Sequence, residues 1–145
     1  MSYHYTLSSS MIAVPEEKRE QAQAIIDRVS RELEEDEDEG YFNYEASLEP
    51  EGVWLRHDES FNPEHAQRLV RALVEELDLP GVHVCMWAYA CNRPLLDAFG
   101  GGAFAVQKGL ETVWVDAGTA VEELAKLATP AAPAAYELEA EEEEA

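Results

Sequence analysis

Val82-His-Val-Cys-Met-Trp-Ala-Tyr-Ala-Cys91, followed by Phe99-Gly-Gly-Gly-Ala-Phe-Ala-Val106 and then by Glu111-Thr-Val-Trp-Val-Asp116, is the stretch on which the fold turns. In its first run Val82, Val84, Met86, Ala88 and Ala90 share one parity, and His83, Cys85, Trp87, Tyr89 and Cys91 the other. Apolar residues on both parities predict a strand inside a sheet, with both of its sides covered at least in part. Residues 101–107 and 111–116 read as a hairpin around Lys108-Gly109, and residues 92–98 as the loop before it. Thr119-Ala-Val-Glu122 has the form of a capping box, which would open a short helix running to about residue 128.

Upstream of that stretch, Leu79-Pro-Gly81 closes a helix that Asn62 and Pro63 open as cap and first-turn proline. Ala66, Leu69, Val70, Leu73, Val74 and Leu77 draw its apolar stripe at helical spacing. Further back, Tyr41-Phe-Asn-Tyr-Glu-Ala-Ser-Leu48 and Gly52-Val-Trp-Leu-Arg-His57 flank a Pro-x-Gly turn, a hairpin signal. Pro15 begins an earlier helix over residues 15–34, with Ala22, Ile25, Ile26, Val29 and Leu33 on one face. Residues 3–14 alternate as a strand, with Tyr3, Tyr5 and Leu7 on one parity.

The order is βαββαβββα, an α+β class. Its first six elements fit a ferredoxin-like βαββαβ core, with helices on one face of an antiparallel sheet, to which a C-terminal β-hairpin and short helix are added. The 145-residue length suits one domain, expected over residues 1–128. Residues 129–145 read as a Pro/Ala linker and a disordered acidic tail.

Charge is the departure from ordinary composition. The formal net charge is -21 and the isoelectric point near 4.3. Residues 32–39 hold 7 acids and residues 137–144 hold 6, with no base in either run. Such a surface repels phosphate backbones and anionic lipids, so direct nucleic-acid or membrane binding is excluded and a basic partner is favoured. With no window of 18 apolar residues and no leader-like N-terminus, the expected location is cytoplasmic.

The residues that could carry chemistry are few. His83 and Cys85 are two apart on one strand parity, the spacing a thiolate–imidazole pair would use. With Arg93, Asp97 and Gly100, Gly101 and Gly102 they outline an alternative pocket for a small molecule or an enzyme. Against that, buried cysteine is most often structural. The glycines lack the following helix that a phosphate-binding loop needs, and suit a bulge or a strand entry instead. Cys85 and Cys91 in one extended strand stand about 20 Å apart, beyond disulfide reach. Residues 35–40 resemble the start of a calcium loop, but Ala46 stands where its bidentate glutamate belongs. No spacing of His4, His57, His65 and His83 marks a metal site, and no motif implies a cofactor.

At Cys91-Asn-Arg-Pro94, Phe99-Gly-Gly-Gly-Ala-Phe-Ala-Val106 and Trp114, the chain resembles small uncharacterised proteins of phages and mobile elements, over residues 85–116 only. That resemblance implies no catalytic residues and points toward an inhibitor of a host enzyme. The charge points the same way. The expected function is a non-enzymatic interaction protein in which Glu16, Glu17, Glu20, Asp27, Glu34 and Glu35 of the first helix, continued by Asp36, Glu37, Asp38 and Glu39, bind a basic protein surface. Its sharper form is a nucleic-acid mimic occupying the basic groove of a DNA- or RNA-binding enzyme. A structural or assembly subunit, pairing through a sheet edge, is the remaining alternative.

Overall fold

A computed structural model of the chain describes residues 4–36, 43–93 and 100–128. Strand β1 (His4–Ala13) leads through a 3-10 turn into helix α1 (Arg19–Asp36). Strands β2 (Glu45–Glu49) and β3 (Gly52–His57) precede helix α2 (Pro63–Glu76), and strand β4 (His83–Cys91) follows it. Strands β5 (Gly100–Val106) and β6 (Val113–Asp116) and helix α3 (Ala117–Ala128) complete the described elements. The strands form one open antiparallel sheet in the order β2-β3-β1-β4-β5-β6.

The second helix shows how directly local chemistry sets its ends. Asn62 is extended and its side chain accepts from the N–H groups of Glu64 and His65, while Pro63 occupies a first-turn position where no N–H is needed. At the other end Asp78 adopts φ 55°, and the N–H of Leu79 reaches back to the carbonyl of Val74 at 3.1 Å. That is a Schellman-type ending built on aspartate instead of the usual glycine, and Lys108 Nζ holds the Asp78 carboxylate at 2.6 Å. The last helix departs from expectation. It begins at Ala117, directly after β6, so Thr119 lies inside it and not at its start.

Directly paired residues of antiparallel strands point to the same face, so the register sorts every strand residue. Val53 opposite Ile12, Leu55 opposite Ser10, Leu48 opposite Val53 and Cys85 opposite Phe104 define one face. On it lie the buried faces of α1 (Ala22, Ile25, Ile26, Val29, Leu33) and of α2 (Ala66, Leu69, Val70, Leu73, Val74), closing a core with Ile12, Val53, Leu55, Cys85, Phe104 and Val106. Each Val, Leu, Ile or Phe among them contributes roughly 1.5–3 kcal/mol by leaving water.

The other face is bare among the described residues. Met11 opposite Trp54, Leu7 opposite Ala88, Met86 opposite Ala103, and Ala105 opposite Val113 lie on it. Met86 is 65% exposed and Val84 49%. The expectation that β4 is covered on both sides is therefore corrected. An antiparallel sheet satisfies its backbone within the plane and tolerates a face in water, so apolar residues on both parities do not guarantee two cover layers. No described helix is long and apolar enough to cross a membrane.

Candidate functional site

The first candidate is the outer face of α1. Its buried residues Ala22, Ile26, Val29 and Leu33 repeat at three and four, and the seven-residue spacing of Glu20, Asp27 and Glu34 sets those acids on the opposite side. Glu16, Glu17, Glu20, Asp27, Glu34 and Glu35 are all exposed. None of them forms an ion pair among the described residues, and Asp27 accepts only from the amide of Gln23, at 3.0 Å. Arg31 is the base on that side of the helix.

Several bases elsewhere are held within the fold. Between the antiparallel helices, Arg28 makes a bidentate pair with Glu76 and lies 3.5 Å from Glu32. Arg68 pairs with Asp36 at 3.1 Å and with Glu32 at 3.8 Å. Arg71 holds Glu75 and the Thr112 hydroxyl, and Lys108 holds Asp78, so α2 is tied to the β5–β6 turn. Lys18 and Arg19 donate to the backbone carbonyls of Leu77 and Glu49. Asp36, though exposed, is turned toward Arg68 and pairs with it. Glu37, Asp38 and Glu39 lie outside the described residues.

These pairs set the local ionisation. The Arg28 guanidinium holds Glu76 below the usual carboxylate range, and the N–H of Gly109 with Arg71 does the same for Glu75. Lys108 lowers Asp78. Tyr44 is pushed up to about 12 by burial.

The alternative pocket does not assemble as drawn. Cys85 is fully buried, with the Ser10 hydroxyl 3.4 Å from its sulfur, and burial pushes its thiol up, away from a thiolate. The ring of His83 bonds the carbonyl of Pro80 at 3.1 Å. Both cysteines are free thiols. The three glycines are strand residues, paired with Tyr89, Ala88 and Trp87. A Cβ at Gly101 would stand 2.4 Å from the Trp87 carbonyl oxygen, and one at Gly102 would stand 2.5 Å from the Trp87 ring and 2.7 Å from the Val115 carbonyl. These glycines make room for an indole and for neighbouring backbone. Arg93 is exposed at the end of β4, two strand steps and more from Cys85, and Asp97 lies outside the described residues. Among the described residues no group of His, Cys, Asp and Glu is placed to hold a metal ion.

Two features escaped the sequence reading. One is a cleft of about 490 Å³ beyond the N-terminus of α2, lined by Pro63, Glu64, Trp87, Tyr89, Trp114, Val115 and Asp116. Trp87, Phe104 and Trp114 stack beside it with centroids 5.2 to 6.3 Å apart. Shared parity of Trp87, Phe104 and Trp114 across adjacent strands was the available signal, but it needs the register. The other is the bare sheet face. No protein-family model matches the chain, and no curated protein or solved structure matches it either.

Proposed function

We propose that this is a non-enzymatic interaction protein whose acidic α1 face binds a basic surface on another protein. The observation that carries this is an asymmetry of pairing. Among the described residues Lys18, Arg19, Arg28, Arg56, Arg68, Arg71 and Lys108 are bound within the fold, by carboxylates or by backbone carbonyls, while Glu16, Glu17, Glu20, Asp27, Glu34 and Glu35 remain exposed and unpaired with a base. Charges not used internally cost self-repulsion and are available to a partner. A cytoplasmic setting fits two unbridged thiols.

Nucleic-acid mimicry is the narrower reading. Residues 16–35 rise about 29 Å along a helix. One nucleic-acid strand presents about eight phosphates over that length. Six unpaired acids, offset by Arg31, approach a single strand and fall well short of a duplex. The split βαβ plan is retained as a reading of the first six elements, supported by two helices sharing one sheet face and by β1 lying between β3 and β4. Strands β5 and β6 extend the sheet past it.

The test is capture from cell extract on the immobilised protein at about 50 mM and about 500 mM salt, beside a variant carrying Glu16→Gln, Glu20→Gln, Asp27→Asn and Glu34→Gln. A partner held at low salt, lost at high salt and absent from the variant supports the reading. Release of that partner by duplex or single-stranded DNA supports mimicry. Capture that ignores both salt and the four substitutions overturns the proposal.

A further inference from the structure

The bare sheet face is broad, apolar and almost free of charge, on a molecule of net charge -21. It carries Leu7, Met11, Trp54, Val84, Met86, Ala88, Ala103, Ala105, Val113 and Val115 by register. The charged side chains its strands contribute, Glu45, Glu49 and Arg56, lie at the β2–β3 edge. There Arg56 lies 3.7 Å from Glu45 and 3.8 Å over the Trp54 ring. From β3 to β6 the face is about 20 Å wide and, along β4, about 20 Å long, a flat footprint on the order of 400 Å². That is the size of the largest apolar patch on a typical monomer, which is often functional.

The relief of the face says what fits it. Met11 and Trp54 form a ridge on β1 and β3, whereas β5 presents Gly101, Ala103 and Ala105 as a trough, with Val113 and Val115 of β6 beyond it. Strand β4 lies between β1 and β5. A two-fold axis lying between two facing sheets and running along β4 sets β1 of each copy over β5 of the other. Met11 then enters the alanine trough, and Trp54 covers Val113 and Val115. An isologous contact needs this kind of self-complementary surface, bulky where its own mate is small.

Charge selects the same orientation. Stacking through this face keeps the two α1 surfaces on opposite outer sides. Two sheets about 10 Å apart and a helix layer of about 10 Å on each separate them by about 30 Å. That exceeds the screening length of about 8 Å at physiological salt. Any contact through the helices would oppose like charges at close range.

We infer that a second copy of this chain covers the open face of the sheet, packed sheet on sheet with Met86 next to the two-fold axis. The footprint is about half of the roughly 800 Å² per partner of a standard interface, which places the pair among weak associations. The inference does not rest on the acidic-face reading, and salt separates the two. Self-association strengthens as salt screens the mutual repulsion, whereas binding of a basic partner weakens.

Sedimentation equilibrium of the full chain, from about 5 to 500 µM, reads the mass directly against 16.2 kDa for one copy. The expected result is a rise toward twice that mass, promoted by salt. Ala105→Arg fills the trough with a charge and Met86→Glu sets two like charges across the axis. Each is expected to weaken the dimer tenfold or more. Far-UV circular dichroism checks that the variants stay folded. A third variant keeps the test open should either unfold. Met86→Cys in a Cys91→Ser background, treated with a short thiol-to-thiol linker, should give a covalent dimer, and Glu20→Cys in that background should not. A chain that remains monomeric throughout the range overturns the inference, whether or not another partner takes the face. So does a dimer indifferent to both face substitutions, or one that links through position 20 and not 86.

Discussion

Cys85 and Met86 are neighbours in one strand, yet the first is wholly buried and the second is 65% exposed. The same contrast runs across the sheet. The covered face sets Ile12, Val53, Leu55, Phe104 and Val106 under two helices, and the bare face sets Met11, Trp54, Val84 and Val113 in water. Both faces are apolar, so hydrophobicity of side chains does not separate core from contact surface. What separates them is the supply of covering elements. Helices α1 and α2 lie against one side, and α3 adjoins β5 and β6. The bare face is built with core-like residues, which is costly in an isolated molecule and sensible for one that covers the face by association.

Stability measurements can break this contrast. Leu73→Ala, at a fully buried α2 position, is expected to lower unfolding free energy by about 2–5 kcal/mol in urea titration. In dilute protein Met86→Ala should change it by less than about 0.5 kcal/mol. An equal loss at both positions would mean that the open face is covered. Gly102→Ala should cost about 1–3 kcal/mol, because its methyl would meet the Trp87 ring and the Val115 carbonyl, and the indole fluorescence should shift with it. If that variant is neutral, the close approach of β5 to Trp87 is wrong.

Smaller effects sharpen the picture. Glu75, Glu76 and Asp78 have folded pKa values below their unfolded ones. Their stabilisation is complete above the ordinary carboxylate range, near 4.5 for glutamate, and fades as pH falls through the lowered values. Glu76→Gln should reduce stability at neutral pH by about 0.2–1 kcal/mol, since the pair with Arg28 is partly exposed, and should remove part of the loss seen on acidification. With a thiol reagent, the native protein should react quickly at Cys91 and slowly at Cys85, and in urea both should react. Equal native rates would contradict the burial of β4. Glu20→Gln and Glu34→Gln should leave stability within about 0.5 kcal/mol, because neither residue has a partner to lose.

Much of the architecture was legible from local signals. Asn62-Pro63 and the stripe from Ala66 to Leu77 identify α2 almost to the residue, since capping chemistry and helical period act within a few positions. Alternation located the strands, and the α+β class follows from their order. The acidic face of α1 was also readable, because exposure on a helix is fixed by spacing from its apolar stripe. The reading failed where a long-range partner decides. Asp36 belongs to an acidic run in sequence, and nothing in that run shows its pair with Arg68, thirty-two positions on. Gly101 and Gly102 suggested a ligand loop because the strand that crowds them, and the Trp87 ring lying on Gly102, are remote in the chain.

The sequence by itself determined the helices, their caps, the strand periodicity and the charge, each of which depends on residues within one or two turns of one another. Only the tertiary structure decided which parity of β4 faces the helices, because two apolar parities are equivalent until α1 and α2 pack on one of them. It also decided that the second parity, joined across β1, β3, β5 and β6, forms one continuous apolar face. Strand register, set by hydrogen bonds between distant segments, brings those side chains onto the same side.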